Sequence, residues 1–395
     1  AVLRSRGDSV TSTDLRPHDL PEFELQSDEL FARDWDSIVL SPGVPADLPG
    51  LRGKNVIGEV ELAAPYLKGN IIGITGSNGK TTTTSLAGHI LKTAGIPVQV
   101  GGNIGTPVIA MTETSREEQW NVLELSSFQL ETIRTFRANV GVCLNVTQNH
   151  LDRHHTFENY AAAKSNLFRT QQSGDYAILN ADDTTCRSFA ALTPAAKLWF
   201  SGAGETPIPR HEIPIPGRHN AENVMAASLA AKIAGVSQGD LAKAIRSFKA
   251  VEHRLEFVAE INGVRFYNDS KATSVDATIK ALDSFEGNLW IILGGKDKGS
   301  DYTVLRERLH RKAHAALLIG AAAEKIEQHI AGSTRVIRSV TLDRAVADAW
   351  PQAKPGDTIL LAPACASFDQ FQSYEQRGRI FKDLVHGIQG NGTKA

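Results

Sequence analysis

From NIIGITGSNGK at residues 70–80 to DTILLAP at 357–363, short β-branched runs end in a Gly, Asn or Asp turn and give way to helical stretches. Runs that are apolar throughout suit strands covered on both faces, so the alternation specifies parallel α/β layers. It falls into three blocks. The first holds SVTSTD (9–14), DSIVLSPGV (36–44) and KNVIGEVEL (54–62). The second opens at residue 70 and runs through VLELSS, VGVCLNV, YAILNADD and the Ala-rich NAENVMAASLAAKIAG (220–235). The third follows FKAVEHRLEFV (248–258) with VRFYNDS, NLWIILGG, HAALLIG and DTILLAP. Junctions near 66–69 and 248–252 are too short for flexible linkers, which predicts blocks joined by short hinges.

At 395 residues the chain is long enough for about two or three domains. Its formal net charge of -2 provides no basic field for gripping nucleic acid, so any anion site must be local. No apolar run approaches the ~20 residues needed to cross a bilayer. Three well-separated cysteines, Cys143, Cys186 and Cys365, suit a reducing compartment rather than a disulfide framework. These features predict a cytoplasmic protein with no nucleic-acid or membrane partner. The start, AVLRSRGDSV, has neither Met nor a secretory layout, which predicts that the natural start is missing.

GITGSNGKTTT (73–83) ends like a nucleoside-triphosphate loop, but Ile74 stands where the usual G-x-x-x-x-G-K-[ST] pattern has its first glycine. Its context, a buried-strand pattern before and an amphipathic helix after, aims loop amides and a helix N-terminus at an anion. Lys80 then reaches the β and γ phosphates and Thr81 faces Mg2+; the bland alternative is an incidental lysine on a turn. GGNIGTP (101–107) is weaker, a glycine turn around Asn103. Glu124 leaves its strand where a carboxylate can bind the nucleotide's metal or pair with a lysine. LNVTQNHLDRHH crowds His150, Asp152, His154 and His155, but without H-E-x-x-H this favours one histidine near Mg2+ with the others solvated over a zinc centre. Lys164, among alanines, reads by composition as an ordinary exposed lysine. In the third block, His253-Arg254, Asn268 to Thr273, Lys296 and Lys298, and Ser367 with Tyr374 all follow strand ends, where an open parallel sheet gathers ligands. Lysines and hydroxyls there suit a small carboxylate-bearing substrate.

Together with ELSSFQLE, YAAAKSNLF, HNAENVMAA, EHRLEF, NDSKATS and SPGV, these stretches resemble the Mur ligase family, over essentially the whole chain. LAPACASFDQFQSYEQRG (361–378) resembles the branch that joins D-glutamate to UDP-N-acetylmuramoyl-L-alanine, rather than the other branches or the folylpolyglutamate synthases. The resemblance implies an α/β fold of three domains. These are a truncated Rossmann-like N-terminal domain for the uridine nucleotide (1–68), a central P-loop ATPase domain with a mostly parallel sheet (69–249) and a C-terminal Rossmann-like domain (250–395). The family's shorter T-G-[ST]-N-G-K-[ST] loop accounts for Ile74.

It also implies roles. Gly76, Ser77, Asn78, Gly79, Lys80, Thr81 and Thr82 would cradle the ATP phosphates, Asn223 and Asp269 would contact adenine and ribose, and Arg254 the phosphates. Of two Mg2+ ions, the first would be held by Thr81 and Glu124, the second by His150 and a carbamylated Lys164; Lys80, His150 and Lys164 would be catalytic. Asp14, Arg16, Ser41, Pro42 and Gly43 match the uridine-binding elements, and Asn103, Ser126 and His150 border the muramoyl-alanine. D-glutamate would meet Lys271, Thr273, Lys298, Ser367 and Tyr374. Two positions depart from the family: Ser274 stands where Asn is usual, and Tyr374 where Phe is familiar and the backbone makes the contact. The first strand and glycine turn of the uridine-binding domain have no counterpart, which predicts a shortened first domain. The implied activity is ATP-driven amide synthesis by a monomer acting on small molecules. A ligase for another amino acid, a P-loop NTPase switch and an inactive binding protein stay open as alternatives.

Overall fold

The computed structural model describes residues 2–15, 17–249 and 251–391. Arg16, expected at the uridine site, lies outside the described residues. Chain contacts divide into two compact units, Ala1–Glu205 with Met225–Ala244, and Thr206–Val224 with Ile245–Ala395.

The first unit begins with two small parallel pairs, β1 (Ser12–Asp14) with β2 (Phe23–Leu25) and β3 (Ile38–Leu40) with β4 (Val56–Gly58). Six strands follow: β5 (Asn70–Thr75), β6 (Val98–Gly102), β7 (Trp120–Glu124), β8 (Val140–Cys143), β9 (Tyr176–Asn180) and β10 (Ala196–Phe200). They form one sheet in the order β10-β9-β8-β5-β7-β6, parallel throughout. β5 lies between β7 and β8 with helices on both faces. Ile72 and Ile74 are fully buried, and each such side chain contributes roughly 1.5–3 kcal/mol by leaving water.

The second unit has β11 (Glu256–Ile261), β12 (Val264–Asn268), β13 (Leu289–Gly294), β14 (Ala313–Ile319), β15 (Arg335–Val340) and β16 (Thr358–Leu361), in the order β11-β12-β16-β13-β14-β15. Only β11 runs antiparallel to its neighbour. Period two sorts β13 between two cores: Leu289, Ile291 and Leu293 enter one, Trp290 and Ile292 the other. Among the described residues no helix is long and apolar enough to cross a membrane.

Candidate active site

In the first unit β5 crosses over to β6 on one side, while β8 begins the opposite half of the sheet. A parallel sheet opens a ligand crevice at such a reversal, beyond the carboxyl ends of its strands. The loop after β5 fills that edge. Gly79 caps the helix Lys80–Thr93 at φ +85°, a left-handed conformation that other residues adopt at a cost. The loop is braced from the β8 side. Ser77 N donates to Asn145 O (2.8 Å), Asn78 N to Asn145 Oδ1 (2.9 Å), and Asn145 Nδ2 back to Asn78 O (3.1 Å). Ser77 Oγ lies 2.9 Å from both Thr147 O and Tyr160 Oη. Ser77 and Asn78 therefore shape the loop, and the first turn of the helix, from Lys80 to Thr82, is the part whose dipole favours an anion. Lys80 itself folds back, its Nζ donating to Gly76 O (2.8 Å) and Ser77 O (3.1 Å).

Glu124, at the end of β7, is buried and doubly engaged: Thr81 Oγ1 donates to Oε2 (2.7 Å) and Asn103 Nδ2 to Oε1 (2.9 Å). Asn103 thus holds the acid, beyond the substrate contact expected of it. A carboxylate and a hydroxyl oxygen this close fit a hard divalent cation, and Mg2+ uses one or two carboxylates with water and phosphate rather than an all-protein cage. Among the described residues no three His, Cys, Asp or Glu side chains gather as a metal cluster.

Lys164, on the helix Phe157–Arg169, is buried, against the exposed reading that composition favours. Its Nζ donates to Gly76 O (2.9 Å) and sits 4.6 Å from the Tyr160 ring centre. Burial first, then the Lys80 charge, push it well below the usual lysine range. As an ammonium it cannot ligate a cation; as a carbamate it would offer oxygen.

His150 is exposed, caps the helix Leu151–His154 at φ +53° and stacks edge-on to Phe128 at 5.0 Å. One expectation is corrected: His154 is not solvated. The helical turn swings it inward, where it is 4% exposed, with Nε2 3.0 Å from Ser127 Oγ and its ring against Tyr160. His155, like His150, is exposed. Ser126 serves a capping box, its Oγ accepting from Gln129 N (3.2 Å) while Ser126 N donates to Gln129 Oε1 (3.0 Å). Ser41 and Pro42 line a cleft with Leu40, Phe128 and Arg153, which Gly43 adjoins in sequence. Asp14 is exposed at the end of β1, 3.6 Å from His18.

The second unit carries the remaining expected residues. Asn223 is buried and donates to Asn220 Oδ1 (3.0 Å). Asp269 follows β12; burial raises its carboxyl to about 7, while Arg254 and the Leu255 amide oppose the rise. Lys271 Nζ lies 3.8 Å over the Tyr374 ring, and Tyr374 O accepts from Ser270 Oγ (2.8 Å). Thr273 is half-buried, and Ser274 caps the helix Val275–Asp283, its side chain accepting from Ala277 N. The loops after β13 and β16 are joined by Lys296 N to Ala366 O (2.9 Å). This brings the loop of exposed Lys298 against that of buried Ser367. Sequence reasoning passed over Asn145, Tyr160 and Arg377. Asn145 had a signal, an amide two residues beyond a strand that pairs with the phosphate-loop strand.

The Mur ligase middle domain model matches residues 74–207, and the model described as Mur ligase, glutamate ligase domain, matches 253–365. A UDP-N-acetylmuramoylalanine--D-glutamate ligase of Solibacter usitatus is 61% identical, covering 98% of this chain and 94% of that one. One from Acidobacterium capsulatum is 51% identical, covering 98% and 93%. Among solved structures, MurF ligase from Thermotoga maritima in complex with ADP superposes with a TM-score of 0.65 at 18% identity, over 90% of this chain and 96% of that one, a likeness of fold. With a relative this similar over nearly its full length, the chain belongs to the Mur ligase family.

Proposed function

We propose that the chain joins D-glutamate to UDP-N-acetylmuramoyl-L-alanine at the expense of ATP, in the cytoplasm and as a monomer. The observation that carries this reading is the 61% identity, over 98% of the chain, to an enzyme of that name. The domain bounds expected from the sequence, 1–68, 69–249 and 250–395, belong to the same proposal.

In this reading the first-turn amides meet the ATP phosphates and Lys80 swings from its loop contacts onto them, neutralising charge as the alanine carboxylate attacks the γ phosphorus. That attack gives an acyl phosphate and ADP. The amine of D-glutamate then attacks the acyl carbon, and phosphate leaves. Thr81 and Glu124 would hold one Mg2+, with His150 and a carbamylated Lys164 holding another; bound there, the ions supply charge neutralisation to the phosphates. Support for the carbamate lies in the Lys164 surroundings, where among the described residues no carboxylate hydrogen-bonds its Nζ and burial favours the neutral, nucleophilic amine. Its nitrogen would bond the carbon of CO2 and release a proton. Asn103 fixes Glu124, and the cleft at Ser41, Pro42 and Phe128 suits the uridine substrate. Lys271, Thr273, Lys298, Ser367 and the Tyr374 backbone would receive the amino acid.

ADP release is the test, measured with UDP-N-acetylmuramoyl-L-alanine and, in turn, D-glutamate, L-glutamate, L-lysine and glycine. Release that depends on D-glutamate is expected; release indifferent to the amine would sink the reading.

A further inference from the structure

Arg377 is wholly buried in the second unit, near the start of the helix Tyr374–Asn391. Its Nε donates to Ser270 Oγ (3.0 Å), and its Nη2 to Ser270 O (2.9 Å) and Cys365 O (3.2 Å). Among the described residues Nη1 has no hydrogen-bond partner, and the guanidinium's acceptors are a hydroxyl and two carbonyls rather than a carboxylate. The one carboxylate among the causes acting on its charge, Asp369, is engaged by the Ala321 amide at 2.9 Å. Burying a charge against neutral oxygens alone is costly, so such a group calls for an explanation.

Its position supplies one. Ser270 passes the contact on to the Tyr374 carbonyl, and Cys365 lies two residues before Ser367. Nη1 packs under Gly295, where a side chain's first carbon would come within 3.2 Å of it and 2.2 Å of Ala366 O; Gly295 accordingly has φ +137°. One guanidinium therefore underlies three loops, those bearing Lys271, Lys298 and Ser367. Burial lowers its pKa to about 10, so it is charged at neutral pH.

We infer that Arg377 is a positioning residue that makes the amino-acid site selective for an acidic side chain. It ties the three loops together and leaves an unpaired positive charge behind them, which the second carboxylate of the substrate answers. The inference rests on the proposed D-glutamate reading.

The test compares kcat/KM for D-glutamate with that for its neutral isostere D-glutamine, in wild type, R377M and R377K, monitoring folding by thermal melting. For R377M the expected result is a fall of about tenfold or more in the D-glutamate to D-glutamine ratio, carried by KM for D-glutamate. KM for ATP stays within twofold. R377K keeps the charge and holds the ratio within about threefold of wild type while kcat falls. A purely structural role would depress both amino acids equally, and an unchanged ratio in R377M overturns the inference, as does a tenfold fall in R377K. If R377M does not fold, R377Q takes its place under the same criteria. Wild type that releases no ADP in response to D-glutamate would instead defeat the parent reading.

Discussion

Glu124 and Thr81 meet at 2.7 Å, and that contact is where the nucleotide's charge is expected to be balanced. Glu124→Gln keeps the shape and the Asn103 neighbourhood but removes the charge. ADP release is expected to fall by about 100-fold or more, the range seen when one charge-stabilising group is lost. The mutant's Mg2+ concentration for half-maximal activity should rise; if it stays at the wild-type value, Glu124 is not a ligand. Lys164→Ala should lose ligation, with a short carboxylic acid restoring part of it and bicarbonate none; full activity in the mutant would exclude the carbamate. Asp269 carries a pH signature. Its folded carboxyl, near 7, is weaker than an unfolded one near 4, so the folded state holds the proton longer and wild type loses stability as pH rises between those values. Asp269→Asn removes that loss. Its melting temperature relative to wild type should climb from pH 4 to pH 8; a flat difference would show that the carboxyl ionises normally. These residues were legible at different depths. Glu124 and Asp269 follow from strand ends, whereas the burial of Lys164 and His154 depends on which way a helical turn faces, and neighbouring alanines do not encode that.

Ser126 and Gln129 form the capping box of Ser127–Leu130. At the scale of the element, Ser126→Ala should cost about 1 kcal/mol of stability, read from denaturant unfolding. KM for the uridine substrate, measured alongside, decides whether the hydroxyl also serves the ligand, and an unchanged KM would remove Ser126 from the substrate site. Sequence reasoning found β5, β7, β8, β9, β12, β13, β14 and β16 as short β-branched runs, and read the stretches of β1, β3 and β4 as strand ends or short strands. It passed over β15, RVIRSV, because that strand is an edge: Arg335 and Arg338 face out, and polar edge residues mask the period. It also passed over the hairpin that joins β11 to β12, although Asn262-Gly263 carries the short-range signal for one. Both residues have positive φ, +50° and +76°, as a type I′ turn demands.

Each compact unit has its own six-stranded sheet and its own buried clusters. Calorimetry should therefore give a calorimetric enthalpy larger than the van't Hoff enthalpy; equality would mean that the whole chain melts as one. The residues alone determined the α/β class, the phosphate loop and most ligand-bearing strand ends, because hydrophobic period and glycine turns are local. Tertiary structure alone decided that Asn145 braces the loop, that Asn103 holds Glu124 and that Arg377 lies unpaired beneath three loops. Those contacts join residues 12 to 107 positions apart, and burial and hydrogen-bond satisfaction across such separations arise only when distant strand ends are brought to one edge.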